Sequence, residues 1–377
     1  MSSSASDDDA HLPKLSEDIV VDHILKRLPV RSLLRFRCVC RSWRSTIDGS
    51  RFVDLHLSHS ALDASSRYLA CLDWCDPFRS LCSLYSGVSL TPPSKSHIEI
   101  PFAAPPNCYG FVGSCNGLIC VTEISRNGYR RSMYLWNLFT RKHKAVPRSS
   151  VEKKFLTLEI PRIAVGFGFS NDYKIVRIYP LYRRGTKPQV EIYSLSTGCW
   201  RSLDCEVPTL SVSRPAVFLS GNLHWFASKS CNQWDEVGYQ QIVSFDVTDE
   251  VFDKMALPEE ISHVDSVDLV SLAVLNDLLA VLISRRAEQS GCSKQHSVCS
   301  VWVMRDYGML ESWTKLYTFE ASGLVTGFDG FTLNGELLMK IHGGKRVCWN
   351  LITGHEANLQ SSMACDLVTV VESLVSV

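Results

Sequence analysis

Histidine, cysteine and carboxylate side chains are the usual makers of catalytic and metal sites. This chain offers 11 histidines and 15 cysteines. Cys71 with Cys75, or His56 with His59, could each supply two zinc ligands. No second pair at matching spacing follows, and no Cys-x-x-Cys occurs, so packing is the simpler account of these residues. Cys120, Cys299 and Cys348 sit in apolar strand-like runs, where a thiol acts as a small hydrophobe. Asp246 and Asp249 could act as paired carboxylates, but placed after a strand-like run they read as turn residues. His224-Trp225 could line a ligand site, or pack inside a layered sheet. Gly166-Phe-Gly168 is a fragment of a phosphate-binding loop, followed by Asn-Asp turn chemistry where a helix is needed. No serine sits in a nucleophile elbow. The expectation is no catalytic residue, no metal and no cofactor.

Charge chemistry is the other possibility. Arg31, Arg35, Arg37, Arg41, Arg44 and Arg51 crowd one short stretch. They could contact nucleic acid phosphates. Aromatic interleaving is thin, however, and no nucleic-acid-binding motif surrounds them. A solvated helix face, or steering toward an acidic partner, accounts for them equally well. The chain as a whole carries 39 basic and 39 acidic residues, so no global field draws it to nucleic acid or membrane.

The elements that position these residues come in two kinds. With 377 residues, 45% hydrophobic and 21% charged, the chain reads as a soluble protein of two or three domains. No apolar run is long enough to span a membrane. MSSSASDDDA is polar and acidic, unlike a secretory signal, and residues 1–13 read as a disordered lead-in. Without such a signal the cysteines are expected to stay reduced, in cytoplasm or nucleus. Ser16 can cap a helix, with Glu17 and Asp18 in its first turn. Val20, Ile24 and Leu28 follow at helical spacing beside Val21 and Leu25, and Pro29 closes the segment. A second helix carries Val39, Trp43 and Ile47, with Leu33, Phe36 and Cys40 adjoining. Helices this few bury little surface by themselves, so a partner is expected.

From about Tyr68 the chain changes to short strands. VEIYSL (190–195), IVSFDV (242–247) and SVWVM (300–304) alternate at period two. Asn116-Gly117, Asn127-Gly128, Asn171-Asp172, Ser220-Gly221-Asn222 and Asn334-Gly335 are turn signals. A unit recurs: strand, polar turn, strand. Its anchors are Trp136, Tyr193, Phe245, Val303 and Trp349, roughly 46 to 58 residues apart. A hairpin precedes each unit, in GLICVTEI, YKIVRIYPLY, NLHWFAS, LLAVLIS and GELLMKI. Four strands per unit is the count of a β-propeller blade, with a sandwich as the alternative. The alternating run LVTVVESLVSV (367–377) is expected to close the ring against its first elements.

Residues 15–57, LSEDIVVDHILKRLPVRSLLRFRCVCRSWRSTIDGSRFVDLHL, resemble the F-box of plant F-box proteins. The matches are Leu15, Ile24, Leu25, Leu28, Pro29, Val30, Ser32, Leu33, Leu34, Cys38, Val39, Cys40, Trp43, Phe52 and His56. Ser16 stands where proline is usual. His23 reads as one extra residue, which would turn the first helix by about 100°. GSCNGLICV, VGFGFSNDYKIVRIYPL, VEIYSLSTGCWRSLD, FLSGNLHWFA, IVSFDVTDEVFDKMALP and VWVMRDYGMLESWTKLYTF are similar to the F-box-associated interaction domain, which is related in architecture to kelch-type propellers. The resemblance implies a substrate receptor. Its F-box would dock on the Skp-type adaptor of a Skp–cullin–F-box ubiquitin ligase through Leu15, Ile24, Leu25, Leu28, Pro29, Val30, Leu33, Leu34, Val39, Cys40 and Trp43. Its β domain would hold a target protein for ubiquitination. The expected architecture is an α+β multidomain chain: a lead-in (1–13), a small helical F-box (14–60) and an all-β propeller-like domain (61–377). Target contacts are expected on the polar loops 182–188, 229–239 and 285–296, through Tyr182, Arg183, Arg184, Trp234, Arg285 and Arg286. A propeller enzyme and a nucleic-acid binder are the competing classes.

Overall fold

The computed structural model describes residues 19–73, 81–86, 97–104, 107–124, 130–151, 163–179, 188–207, 216–227, 241–262, 268–287, 296–332, 334–359 and 365–377. Leu15, Ser16 and the expected lead-in lie outside them, as do Cys75 and the Asn127-Gly128 turn.

The helical part starts with an irregular turn. Val20–Ile24 form a π-helical turn, and the Leu25 N–H reaches back to both the Val20 and the Val21 carbonyl. A π turn absorbs one extra residue without breaking the helix. It falls where His23 reads as one extra residue, and it alters the expected stripe. Ile24 is turned outward and 43% exposed, whereas Leu25 is turned inward. A short 3-10 turn, Leu25–Arg27, leads to Pro29. Helices α1 (Val30–Phe36), α2 (Arg41–Asp48) and α3 (Ser50–Leu62) follow. The stripe expected from Val39 through Ile47 is broken between α1 and α2. Val39 lies in the connection, 66% exposed, while Ile47 is buried. Cys40 restarts the helix: its Sγ accepts the Trp43 N–H at 3.4 Å. Leu25, Val30, Leu33, Ile47 and Phe52 form the small core, to which Leu374 is added from the far end of the chain.

The rest is a ring of six four-stranded antiparallel sheets. Blade 1 joins both ends of the domain: β1 (Arg67–Asp73), β2 (Leu81–Ser86), β3 (His97–Glu99) and β24 (Cys365–Val371). Blade 2 is β4 (Cys108–Cys115), β5 (Leu118–Ile124), β6 (Arg130–Trp136) and β7 (His143–Val146). Blade 3 is β8 (Ala164–Phe169), β9 (Tyr173–Tyr179), β10 (Gln189–Ser194) and β11 (Cys199–Leu203). Blade 4 is β12 (Val217–Leu219), β13 (Asn222–Ala227), β14 (Gln241–Asp246) and β15 (Phe252–Ala256), followed by one turn of helix, α4 (Glu259–Ser262). Blade 5 is β16 (Leu269–Leu275), β17 (Leu278–Ala287), β18 (His296–Met304) and β19 (Trp313–Glu320). Blade 6 is β20 (Val325–Phe331), β21 (Leu337–Ile341), β22 (Lys345–Trp349) and β23 (Glu356–Leu359).

The core is divided among the six joints between blades, each with its own apolar cluster. That distribution follows from the strands: side chains alternate to the two faces of each sheet, and both faces meet a neighbour. Gly166 and Gly168 on β8 serve this packing, not phosphate binding. A Cβ at 166 would lie 2.9 Å from the Trp225 ring, and one at 168 would lie 2.6 Å from the Phe218 ring. The recurring turn has a common chemistry. Asn137, Asp246 and Asn350 each accept two backbone N–H groups with a side-chain Oδ1, from residues two and three ahead. Asp246 is thus a turn former, as its position suggests.

Two buried imidazoles give the fold a defined acid response. His224 donates from Nδ1 to the Val217 carbonyl at 3.1 Å and accepts the Tyr307 hydroxyl at Nε2, 2.7 Å away. Burial pushes its pKa down to about 4, against the opposing pull of the Val217 carbonyl. Burial lowers His56 as well. The unfolded chain titrates its histidines near 6.5, so it binds more protons than the folded chain below that pH, and stability falls with acid. His224 alone accounts for roughly 3 kcal/mol between pH 6.5 and 4. The melting temperature should therefore drop over that interval, and His224→Gln should flatten the drop; an unchanged slope in the variant would remove His224 from this role.

Candidate functional site

Two surfaces stand out, at opposite faces of the ring. Alternation of strand direction places them. β1 starts directly after the helices and β24 ends beside it, with Arg67 opposite Val371. This face therefore carries the helical part, together with the turn after β6, whose Phe139 packs on the helical core. In every blade the second and third strands hand over at the other face.

The first surface is the outside of the helical part. His56, on α3, builds its corner. Nε2 donates to the Leu28 carbonyl at 3.1 Å, which leaves Nδ1 to accept from the Ser60 hydroxyl at 3.5 Å. Both imidazole nitrogens are thereby committed to structure, not to metal. Phe36 meets Trp43 edge-on at 5.2 Å and fixes the second corner. The eleven residues marked from sequence then divide. Leu25, Val30 and Leu33 are interior. Leu28, Leu34 and Trp43 are half-buried, and Ile24, Pro29, Val39 and Cys40 face outward. Leu15 lies outside the described residues. Ile19, 44% exposed, is a further outward apolar side chain of the helical part and was missed. The π turn that places it leaves no periodicity to read. Around this apolar patch Arg31, Arg35, Arg41, Arg44 and Arg51 are exposed, while Arg37 is held by Asp48 at 2.6 Å.

The second surface is the opposite face. β9, β13 and β17 end at this face and β10, β14 and β18 start from it, joined by segments 180–187, 228–240 and 288–295. They include Tyr182, Arg183, Arg184 and Trp234, all outside the described residues. Arg285 and Arg286, at the end of β17, are described and exposed. Arg285 donates to the Glu260 carbonyl at 3.1 Å and lies 3.4 Å from Asp268. Between the two faces runs a channel of about 540 Å³, lined by β4, β12, β16, β20 and β24. Its carboxylates are engaged in structure. Asp329 holds Arg346 at 2.6 Å and Lys340 at 3.2 Å, and Asp366 accepts the Phe111 N–H at 2.7 Å. Among the described residues no cluster of three histidine, cysteine or acidic side chains could hold a metal. His224 and Trp225 are both buried and both also line this channel, Trp225 with its indole packed in the joint between blades 3 and 4.

A small helical corner joined to a six-bladed ring defines a two-part architecture. Residues 12–55 match the F-box domain, and residues 91–368 match the F-box associated beta propeller domain. The chain belongs to the F-box proteins that carry this propeller. It is 29% identical over 310 residues to the Arabidopsis thaliana F-box/kelch-repeat protein At3g23880, covering 79% of this chain and 77% of that one. It is 29% identical over 358 residues to the Arabidopsis F-box protein At3g07870, covering 84% and 76%. The Arabidopsis F-box protein CPR1 is 24% identical over 334 residues, covering 82% and 74%.

Proposed function

We propose that this chain is the substrate-recognition subunit of a Skp–cullin–F-box ubiquitin ligase. The carrying observation is that the F-box, with its core filled and Leu374 included in it, still turns Ile24, Pro29 and Val39 outward, with Leu28, Leu34 and Trp43 half-covered beside them. An apolar patch rimmed by arginines suits a partner with an apolar groove and an acidic margin, here the Skp-type adaptor and through it the cullin. Leu25, Val30 and Leu33 support that surface from within. The opposite face presents a target protein, and the loops gathered there are its contacts. The chain performs no chemistry of its own. It supplies proximity, raising the effective concentration of a target lysine near a ubiquitin-charged enzyme. Cytoplasm or nucleus is the proposed location, in keeping with the free cysteines of the described residues. The kelch-repeat label of the first relative supports grouping this ring with kelch-type propellers.

The purified F-box protein carrying Ile24→Glu and Val39→Glu should bind a purified Skp-type adaptor at least about 30-fold more weakly, a cost of roughly 2 kcal/mol or more. Its melting temperature should stay at the wild-type value, since both side chains lie outside the core. Undiminished binding would overturn the docking assignment. In the same variant, target capture should persist, and exchanging loops 182–188, 229–239 and 285–296 for Gly-Ser linkers should give the reverse pattern.

A further inference from the structure

The F-box and the propeller are connected twice. One connection is the chain itself at Ser66–Arg67. The other is the segment 372–377, which leaves β24 and runs beneath the F-box. We infer that this segment is a strap that sets the angle between the F-box and the ring, with Glu372, Leu374 and Asn137 as its positioning residues. The inference is independent of the ligase reading, because it concerns only how the two parts of this chain are held.

The strap answers a need created by the Leu28-Pro29 corner. A helix leaves its first N–H groups without intrahelical acceptors. Helix α1 follows Pro29, which has no side-chain oxygen to offer, and no local side chain caps it. Glu372 takes that part from 342 positions away: its Oε1 accepts the Val30 N–H at 2.8 Å. A carboxylate there also suits the positive end of the helix. Next along, Leu374 enters the F-box core with Val30, Leu33 and Phe52. The Glu372 N–H donates to the Ser66 carbonyl at 2.8 Å and so binds the two connections to each other.

The ring holds the strap from the other side. Asn137 uses Oδ1 for its own turn, as Asn350 does in blade 6. Its Nδ2 donates in addition to the carbonyls of Ser373 at 2.9 Å and Val375 at 2.8 Å. The turn between β4 and β5 lies so close under the strap that a Cβ on Gly117 would come within 2.7 Å of the Val371 carbonyl. The strap is thus gripped by blade 2 and capped onto α1, with few atoms left to slide.

Hydrogen exchange on the full chain, read by mass spectrometry, tests this. In Glu372→Ala the α1 amides should exchange at least about tenfold faster, while β1 and β17 keep wild-type protection. Glu372→Gln retains an acceptor oxygen and should stay within about threefold of wild type. Asn137→Ala should loosen α1 as well, although Asn137 is not part of the F-box core. Spin labels on non-natural side chains at positions 58 and 249 report the angle directly, and their distance distribution should broaden in Glu372→Ala and Asn137→Ala. Unchanged α1 exchange and an unchanged distribution would overturn the inference. So would protection lost equally from β17 in both variants, since that is a general loss of stability and not of positioning.

Discussion

A chain ending at residue 364 should not form a monomeric propeller. β24 pairs with β1 over seven positions, from Arg67 opposite Val371 to Asp73 opposite Cys365. Without it β1 becomes an open edge whose Leu69, Ala70, Cys71 and Leu72 are buried in the intact ring. An exposed apolar edge pairs with other chains. The Phe111 N–H loses Asp366, and the F-box loses both Glu372 and Leu374. Burying a leucine or valine is worth about 1.5–3 kcal/mol, so the loss of Leu367, Val370 and Leu374 approaches the whole stability of an ordinary domain, roughly 5–15 kcal/mol. Size-exclusion chromatography should show aggregates, and circular dichroism should show no cooperative melt. A monodisperse truncated chain with wild-type melting would refute closure by β24. A chain ending at 371 keeps the ladder and should keep the ring.

Trp225→Ala should be the costliest single substitution in the ring, at about 3–5 kcal/mol. Its indole is 1% exposed and lies across the joint between blades 3 and 4, against Gly166. Gly166→Ala should cost about 1–3 kcal/mol by overpacking, since a Cβ there would stand 2.9 Å from the indole and 2.7 Å from Leu223. The two share one space, so the double variant should be less destabilised than the sum. Urea unfolding of the four proteins measures this. Strict additivity would show that the glycine is not there to admit the tryptophan.

Much of the ring is legible in the sequence, and the missing part has a physical reason. The anchors Trp136, Tyr193, Phe245, Val303 and Trp349 all fall on the third strands of blades 2 to 6, and the preceding hairpins fall on the second strands. Both are continuous in the chain and share turn chemistry. Blade 1 has no such continuity, because β24 comes from the opposite end, so five units are readable where six exist. In the F-box, residue types announce the family, but the division into core and surface does not follow from spacing. One π turn sets Ile24 outward and Leu25 inward, and the break after α1 releases Val39. Sequence shows that Gly166-Phe-Gly168 is no phosphate loop but not what it is for, since the side chains that require those glycines sit on blade 4. Segments 182–188, 229–239 and 285–296 are visible as polar runs, while the fact that the strands flanking them meet one face of the ring follows only from strand direction.

The split blade also imposes an order on synthesis. The F-box helices leave the ribosome first, yet the glutamate that caps α1 and the leucine that completes its core arrive roughly 300 residues later, about 15–60 s at ordinary elongation rates. During that interval β1 to β3 lack their inner strand. The ring and the helical core are therefore completed by the same short segment, at the same moment. A nascent or stalled chain therefore lacks both the closed ring and the complete helical core.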